Sequence, residues 1–348
     1  MRVLDQTRLR RKVAARTAAA AHRHSATLLL FLATALSGAA APFTAGPPPA
    51  PAPLPSATDL TAAAHTAGPL GVIARRPGSL DPAQLARAVV LRRLLPAAEA
   101  ARLDRTLAEA APAVQGYLAQ AFAAGHSVAE LVAWDAVIAG HDPAWLAGRL
   151  APLNPADPGP VRFLSTRMRQ FDGTTCGSAA IVAARAVVDP LYAWRLTTGG
   201  RPNSPEESDE RFADRLESEQ QRVHDETDTL WRQSLGTPPW GVSGLLSRDP
   251  AGLGARYRWV PVPPFVPMLA AAVLRRALAA AAQGYPVPVL IGDLIPRHYV
   301  LLLGRDGAGA SFYEPSAGAV IVVSIENLLR PDVRALGFPR LHGAILPG

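Results

Sequence analysis

The sequence predicts an α+β fold, and two observations carry that prediction. Residues 80–150 show helix punctuation and helical apolar spacing, whereas from Arg256 onward short β-prone runs alternate with turn signals. Between these regions a helix of small residues starts at Cys176, the only cysteine among the 348 residues. Helices first and strands afterwards is the order expected of an antiparallel sheet packed on helices laid down earlier in the chain.

The first segment is basic. Residues 1–25 hold Arg8, Arg10, Arg11, Lys12, Arg16 and Arg23 along with Arg2, against Asp5 alone, which leaves 28 basic and 27 acidic residues elsewhere. Of the total charge of +7, +6 therefore sits in one arm, the body is nearly neutral, and nucleic-acid binding is not expected. After the arm comes an uncharged run, residues 26–45, containing Leu28-Leu29-Leu30-Phe31-Leu32. Basic first, apolar next and small residues after is the order of an export signal, with Ser37-Gly38-Ala39-Ala40-Ala41 as an A-x-A-like site. Pro42 disfavours cleavage there, so residues 1–45 are expected to be a signal peptide or a membrane anchor. Either way the remainder is expected to be secreted or membrane-anchored on the extracytoplasmic side. Residues 46–79 form a linker dominated by Pro and Ala at its start, including Pro47-Pro48-Pro49.

Residues 80–150 read as a helical region. Asp81-Pro82 starts one helix, with Leu85, Val89, Val90 and Leu94 on a face, and a second runs from Ala97 to Ala124 with an interruption or kink at Pro112. Ser127-Val128-Ala129-Glu130 is a capping box for a third, and Asp142-Pro143 opens a fourth. Trp134 and Trp145 read as core, and His126 and His141 as exposed loop residues. A cluster of Pro, Asn, Asp and Gly at 152–160 marks a boundary, so residues 151–348 form the second domain.

That domain starts with the lead-in Phe163 to Gln170 and the helix Cys176 to Val188, which Asp189-Pro190 ends. Pro205 to Glu210 opens a charged helix with apolar positions at Phe212, Leu216, Val223 and Leu230, the pattern of a solvated face. Thr237 to Gly244 reads as a loop. Strands follow at 257–262, 287–291, 298–303, 311–313, 319–323 and 343–346, with a buried helix over 267–282.

Chemistry centres on Gln170-Phe171-Asp172-Gly173-Thr174-Thr175-Cys176-Gly177. A thiol in the first turn of a helix lies near unpaired backbone N–H groups and the positive end of the macrodipole, which favour the thiolate. In an exported domain a lone cysteine also has no internal partner for a disulfide. Cys176 is thus the candidate nucleophile, and Gln170 can join the Cys176 N–H as an oxyanion donor. A nucleophile needs a base, and His298, opening the strand His298-Tyr299-Val300, is the best placed of the eight histidines. Glu314, on the next strand of the hairpin, is the candidate orienting acid, with Asp293 in reserve. In that arrangement Glu314 takes the Nδ1 proton and leaves Nε2 for the thiol.

The motif Gln170 to Cys176-Gly177, together with His298-Tyr299-Val300 and a later acid-Pro pair, resembles the papain-like bacteriocin-processing cysteine peptidases and their stand-alone exported relatives, over residues 163–348. The resemblance implies a papain-like fold and cleavage of peptides, typically leaders ending in paired glycines. It also implies Gln170 as oxyanion donor, Cys176 as nucleophile, His298 as base and Glu314 as orienting acid. Thr175 stands where those enzymes usually have Asp, Glu314-Pro315 replaces Asp-Pro, and a charged insertion lengthens the interval to His298. Two alternatives stay open: a catalytically silent papain-like domain that binds a peptide in the envelope, and transglutaminase-like or amidase-like acyl transfer with the same triad. No metal or organic cofactor is implied, and the expected partner is a peptide or protein substrate.

Overall fold

A computed structural model describes residues 68–76, 79–227, 236–248, 253–263, 265–330 and 333–348. The basic arm, the apolar run 26–45, the linker through residue 67 and Leu230 lie outside the described residues. The described part is a mixed α+β structure. Its helical region contains α1 (Pro69–Ala74), α2 (Pro82–Leu94), α3 (Ala97–Glu109), α4 (Pro112–Ala123), α5 (Val128–Ile138) and α6 (Pro143–Leu150). Pro112 separates two helices, because it lacks the N–H that an uninterrupted helix would need and is at home in a first turn. The caps match the sequence: Ser127 and Glu130 bond reciprocally, and Asp142 Oδ1 accepts from the Ala144 and Trp145 N–H groups.

Asp189-Pro190 does more than end a helix. The nucleophile helix α7 (Cys176–Val188) stops there, and Asp189 Oδ1 accepts from the Leu191 and Tyr192 N–H groups to cap α8 (Pro190–Thr198). Asp142 caps α6 in the same way, accepting from the Ala144 and Trp145 N–H groups ahead of Pro143. Leu191 and Trp194 of α8 then enter the core of the helical region, where Trp134 and Trp194 lie 6.3 Å apart, so helices before and after residue 151 share apolar packing.

His126 departs from the exposed role expected of it. Its side chain is 15% exposed, and Nε2 lies 2.9 Å from Asp189 Oδ2, with Glu130 on the other ring nitrogen at 3.6 Å. Burial works to lower the His126 pKa, but the hydrogen bond and charge of Asp189, with Glu130, carry it above the usual histidine value. A raised folded-state pKa contributes stability that is complete below the unfolded value near 6.5 and is lost as pH rises through the folded one. His126→Ala is therefore expected to lower stability at pH 5.5 by about 1–3 kcal/mol and to have a smaller effect at pH 8.5, measured by urea unfolding at both pH values.

Downstream come α9 (Asp209–Thr227), α10 (Pro239–Leu246), α11 (Pro267–Ala281) and the short α12 (Ile325–Leu328). The segment 237–244, expected to be a loop, is mostly the helix α10. Pro239 occupies its first turn, and Val242, Leu245 and Leu246 fall on one buried stripe.

The sheet has seven strands: β1 (Gly159–Pro160), β4 (Tyr257–Pro261), β5 (Val287–Gly292), β6 (Pro296–Asp306), β7 (Gly309–Glu314), β8 (Ala319–Ser324) and β9 (Arg340–Pro347), while β2 (Arg162–Phe163) and β3 (Thr166–Arg167) form a separate hairpin. The order is β1-β8-β7-β6-β5-β9-β4, and every pair is antiparallel. Along β6, Tyr299, Leu301 and Leu303 pack with Ala180, Ile181 and Ala184 of α7, while Val300 and Leu302 pack with Val273, Leu274 and Ala277 of α11. The strand's two-residue period thus buries both faces between two helical layers, and each large apolar side chain contributes about 1.5–3 kcal/mol. A one-residue slip would exchange the two sets, so the register that places the end of β6 is strongly specified.

Candidate active site

Cys176 is the first residue of α7 and is 6% exposed. The loop before it is tied down at several points. Asp172 Oδ1 accepts from the Thr174 N–H at 2.7 Å and the Thr174 hydroxyl at 2.8 Å. Gln220 on α9 is buried, its Nε2 donates to the Arg169 carbonyl at 2.9 Å and its Oε1 accepts from the Phe171 N–H. Asp209, which opens α9, accepts from the Ser165 and Thr166 N–H groups. The charged helix is therefore more than a solvated face: its inner side buttresses the nucleophile loop. In the sequence the signal was Gln220 at helical spacing from Leu216 and Val223, a polar residue in line with apolar ones.

Gly177 follows the thiol. A Cβ at this position would lie 2.6 Å from Thr237 Cβ and 3.2 Å from Tyr299 Cδ2, so the first turn of α7 is pressed directly against both side chains. Beneath it, the Ser178 hydroxyl lies 3.4 Å from both His224 Nδ1 and Thr237 Oγ1, and all three residues are buried. Gly177→Ala is expected to cost about 1–3 kcal/mol by overpacking and to slow any Cys176-dependent reaction, measured by thermal unfolding and thiol alkylation together.

His298 lies near the start of β6, where the β5–β6 ladder slips between Ile291 and Gly292 and Gly292 pairs with Pro296. Such an irregularity re-aims side chains at the mouth of a sheet. His298 is 9% exposed, and its Nε2 lies 2.5 Å from Glu314 Oε1. This reverses the expected use of the ring: Nε2 faces the carboxylate, which leaves Nδ1 as the nitrogen for the thiol. Glu314 is itself held by the turn after β7, with the Ser316 N–H on Oε1 at 3.0 Å and the Ala317 N–H on Oε2 at 2.6 Å.

The electrostatics follow from these contacts. Burial works to lower the His298 pKa, but Cys176 and the Glu314 carboxylate outweigh it and lift the imidazole to about 9. Burial alone would raise the Glu314 carboxyl, yet His298 and the two backbone N–H groups bring it down to about 2. Both shifts favour a protonated His298 beside an ionised Glu314.

Gln170 reaches the same cleft by another route. Its N–H bonds the Pro315 carbonyl, its Oε1 accepts from the Ser316 hydroxyl at 3.0 Å, and its Nε2 donates to the Asp172 carbonyl at 2.5 Å. The amide nitrogen is thus engaged by its own loop. Asp293, the reserve acid, does not approach His298: it accepts from the Ile295 N–H and pairs with Arg297 at 3.3 Å. The structure therefore joins His298 and Glu314 by a hydrogen bond, places Gln170 on the wall beside them, and sets Cys176 close enough to influence the imidazole.

The cleft encloses about 610 Å³. One part of its lining is Gln170, Gly173, His298, Glu314 and Ser316, and another is the segment 334–338 with Arg297 and Ile321. Among the described residues no group of His, Cys, Asp and Glu is arranged to hold a metal ion, and no single helix is long and apolar enough to cross a membrane.

The chain matches no family model, no curated protein and no solved structure. What fold and site define is an α+β protein with a buried thiol, an imidazole and a carboxylate in sequence at the end of an antiparallel sheet.

Proposed function

We propose that the protein is a papain-like cysteine peptidase, exported or membrane-anchored, that hydrolyses peptide bonds with Cys176, His298 and Glu314. One observation carries the reading: Glu314 Oε1 holds His298 Nε2 at 2.5 Å, and Cys176 is among the groups that raise the pKa of the same imidazole. The reaction balances with these groups alone. The Cys176 thiolate forms a C–S bond to the scissile carbonyl, and the oxyanion is met by backbone N–H groups of the first turn of α7 and by Gln170. As the C–N bond breaks, His298 gives its proton to the leaving amine. Water activated by His298 then forms a C–O bond, the C–S bond breaks, and the proton returns to the imidazolium–thiolate pair. The apolar run 26–45 supports the extracytoplasmic placement, and the order of helix, then sheet, supports the papain-like assignment.

A second reading, a peptide-binding domain without turnover, is favoured by the engagement of the Gln170 amide with the Asp172 carbonyl. Alkylation and peptide hydrolysis, each measured on the native protein and on Cys176→Ala, separate the two. Rapid alkylation at neutral pH with Cys176-dependent hydrolysis supports the peptidase, whereas slow alkylation without hydrolysis supports the silent domain.

A further inference from the structure

We infer that Tyr299 is a positioning residue for Cys176, with a hydroxyl that serves the ionised thiol and not the stability of the fold. This rests on Cys176 being the nucleophile and adds a residue to that site. Tyr299 follows His298 on β6 and is 3% exposed, so the strand that brings the base also brings a phenol. Alternation along the strand turns the two side chains to opposite faces, and Tyr299 falls on the face that packs with α7, in one apolar core with Cys176. Its ring lies against the first turn of that helix, where a Cβ on Gly177 would be 3.2 Å from Tyr299 Cδ2.

Packing explains the ring but not the hydroxyl. Its oxygen is buried and has no hydrogen-bond partner among the described residues. The buried tyrosines on neighbouring strands are not left so: Tyr257 donates to the Pro286 carbonyl at 3.1 Å, and Tyr313 donates to the Met168 carbonyl at 2.8 Å. A donor taken out of water without a partner costs free energy, and phenylalanine would fill the same space without that cost. Fold stability alone therefore favours phenylalanine at this position. The proton also stays on the oxygen, because burial, with Cys176 adding to it, raises the Tyr299 pKa well above the usual tyrosine value. A phenol beside the first turn of α7 gains its use when the thiol becomes a thiolate, since a donor already in place needs no reorganisation at that moment. The N–H groups of the same turn act on that charge from the helix side.

The test compares the native full chain with Tyr299→Phe by iodoacetamide labelling, which reports one site because Cys176 is the only cysteine. At pH 7 the variant is expected to alkylate about tenfold more slowly, with its pH–rate profile displaced to higher pH and the two rates converging where both thiols are ionised. The same variant is expected to melt about 2 °C higher, because a buried hydroxyl without a partner has been removed. Slower labelling together with a more stable fold is a combination that a structural hydroxyl does not give. Identical alkylation profiles overturn the inference, and so does a rate difference that persists undiminished at high pH, which assigns the hydroxyl to access and not to charge. A lower melting temperature overturns it as well, because it shows the hydroxyl to be part of the structural framework. Peptide hydrolysis is measured separately: a native protein that alkylates but cuts nothing removes the peptidase reading, while the two alkylation profiles still decide the role of Tyr299.

Discussion

Cys176→Ala is expected to reduce peptide hydrolysis by about 10⁴-fold or more, to background, because it removes the atom that forms the covalent intermediate. The fold should survive the change. The side chain is small, it is followed by Ser178, Ala179 and Ala180 in a buried helix, and alanine fits a first turn as well as cysteine does. The change also has a signature apart from activity. Cys176 is one cause of the raised His298 pKa, so the imidazole of the variant should titrate lower than in the native protein, which NMR of the His298 ring measures directly. Retained hydrolysis in Cys176→Ala would reject the nucleophile, and an unmoved His298 would show that Cys176 does not act on the imidazole.

Glu314→Gln comes second in size. The amide keeps the shape of the carboxylate but neither its charge nor its acceptor on both oxygens, so the ring loses its electrostatic anchor and its fixed orientation. A loss of roughly 10²- to 10⁴-fold in kcat is the range seen for the orienting member of a catalytic triad. The pH dependence should change with it. Hydrolysis that depends on a protonated His298 declines as pH rises toward 9 in the native protein. Without Glu314 one cause of the raised pKa is gone, so the alkaline limb should move to lower pH. On the acid side, a carboxyl held near 2 contributes stability above its unfolded value of 4.5 that is lost as pH falls from there toward 2. In the glutamine variant that part of the acid unfolding should disappear. A pH–rate profile and acid titration of unfolding check the two limbs, and unchanged limbs would assign Glu314 a role in the turn alone.

Much of this was legible from residue types and spacing. The helices of 80–150 follow from their caps, because a short polar side chain before a proline satisfies the first N–H groups locally and needs no tertiary help. The strands of the second half follow from apolar runs broken by turns. The three candidate residues could be chosen because the chain has one cysteine and eight histidines, and Glu314 ends the strand that pairs with the one carrying His298. What was not legible depended on distant partners. Gln220 and Asp209 look like members of a charged run until the loop at 165–171 is laid against them. His126 looks like a loop histidine until Asp189 is brought across from the end of α7. The choice of ring nitrogen on His298 depends on how β6 presents its first residues after the irregularity at Gly292, which no local pattern encodes. The helix at Pro239–Leu246 was hidden because Pro, Gly and Ser dominate its start, although its buried stripe was present.

The position of β9 bears on the timing of assembly. Residues 340–347 come last in chain order among the strands of this sheet, yet they lie between β5 and β4, with Gly292 of β5 paired to Arg340 and Tyr257 of β4 paired to Pro347. A nascent chain that stops short of residue 340 holds two open strand edges, and its sheet lacks the layer joining them. Long-range pairing of this kind forms late and slowly. The thiol at Cys176 emerges far ahead of His298, and the sheet that presents His298 closes only when residue 347 has been added. The chain thus carries its nucleophile through synthesis without the completed sheet that places the base against it.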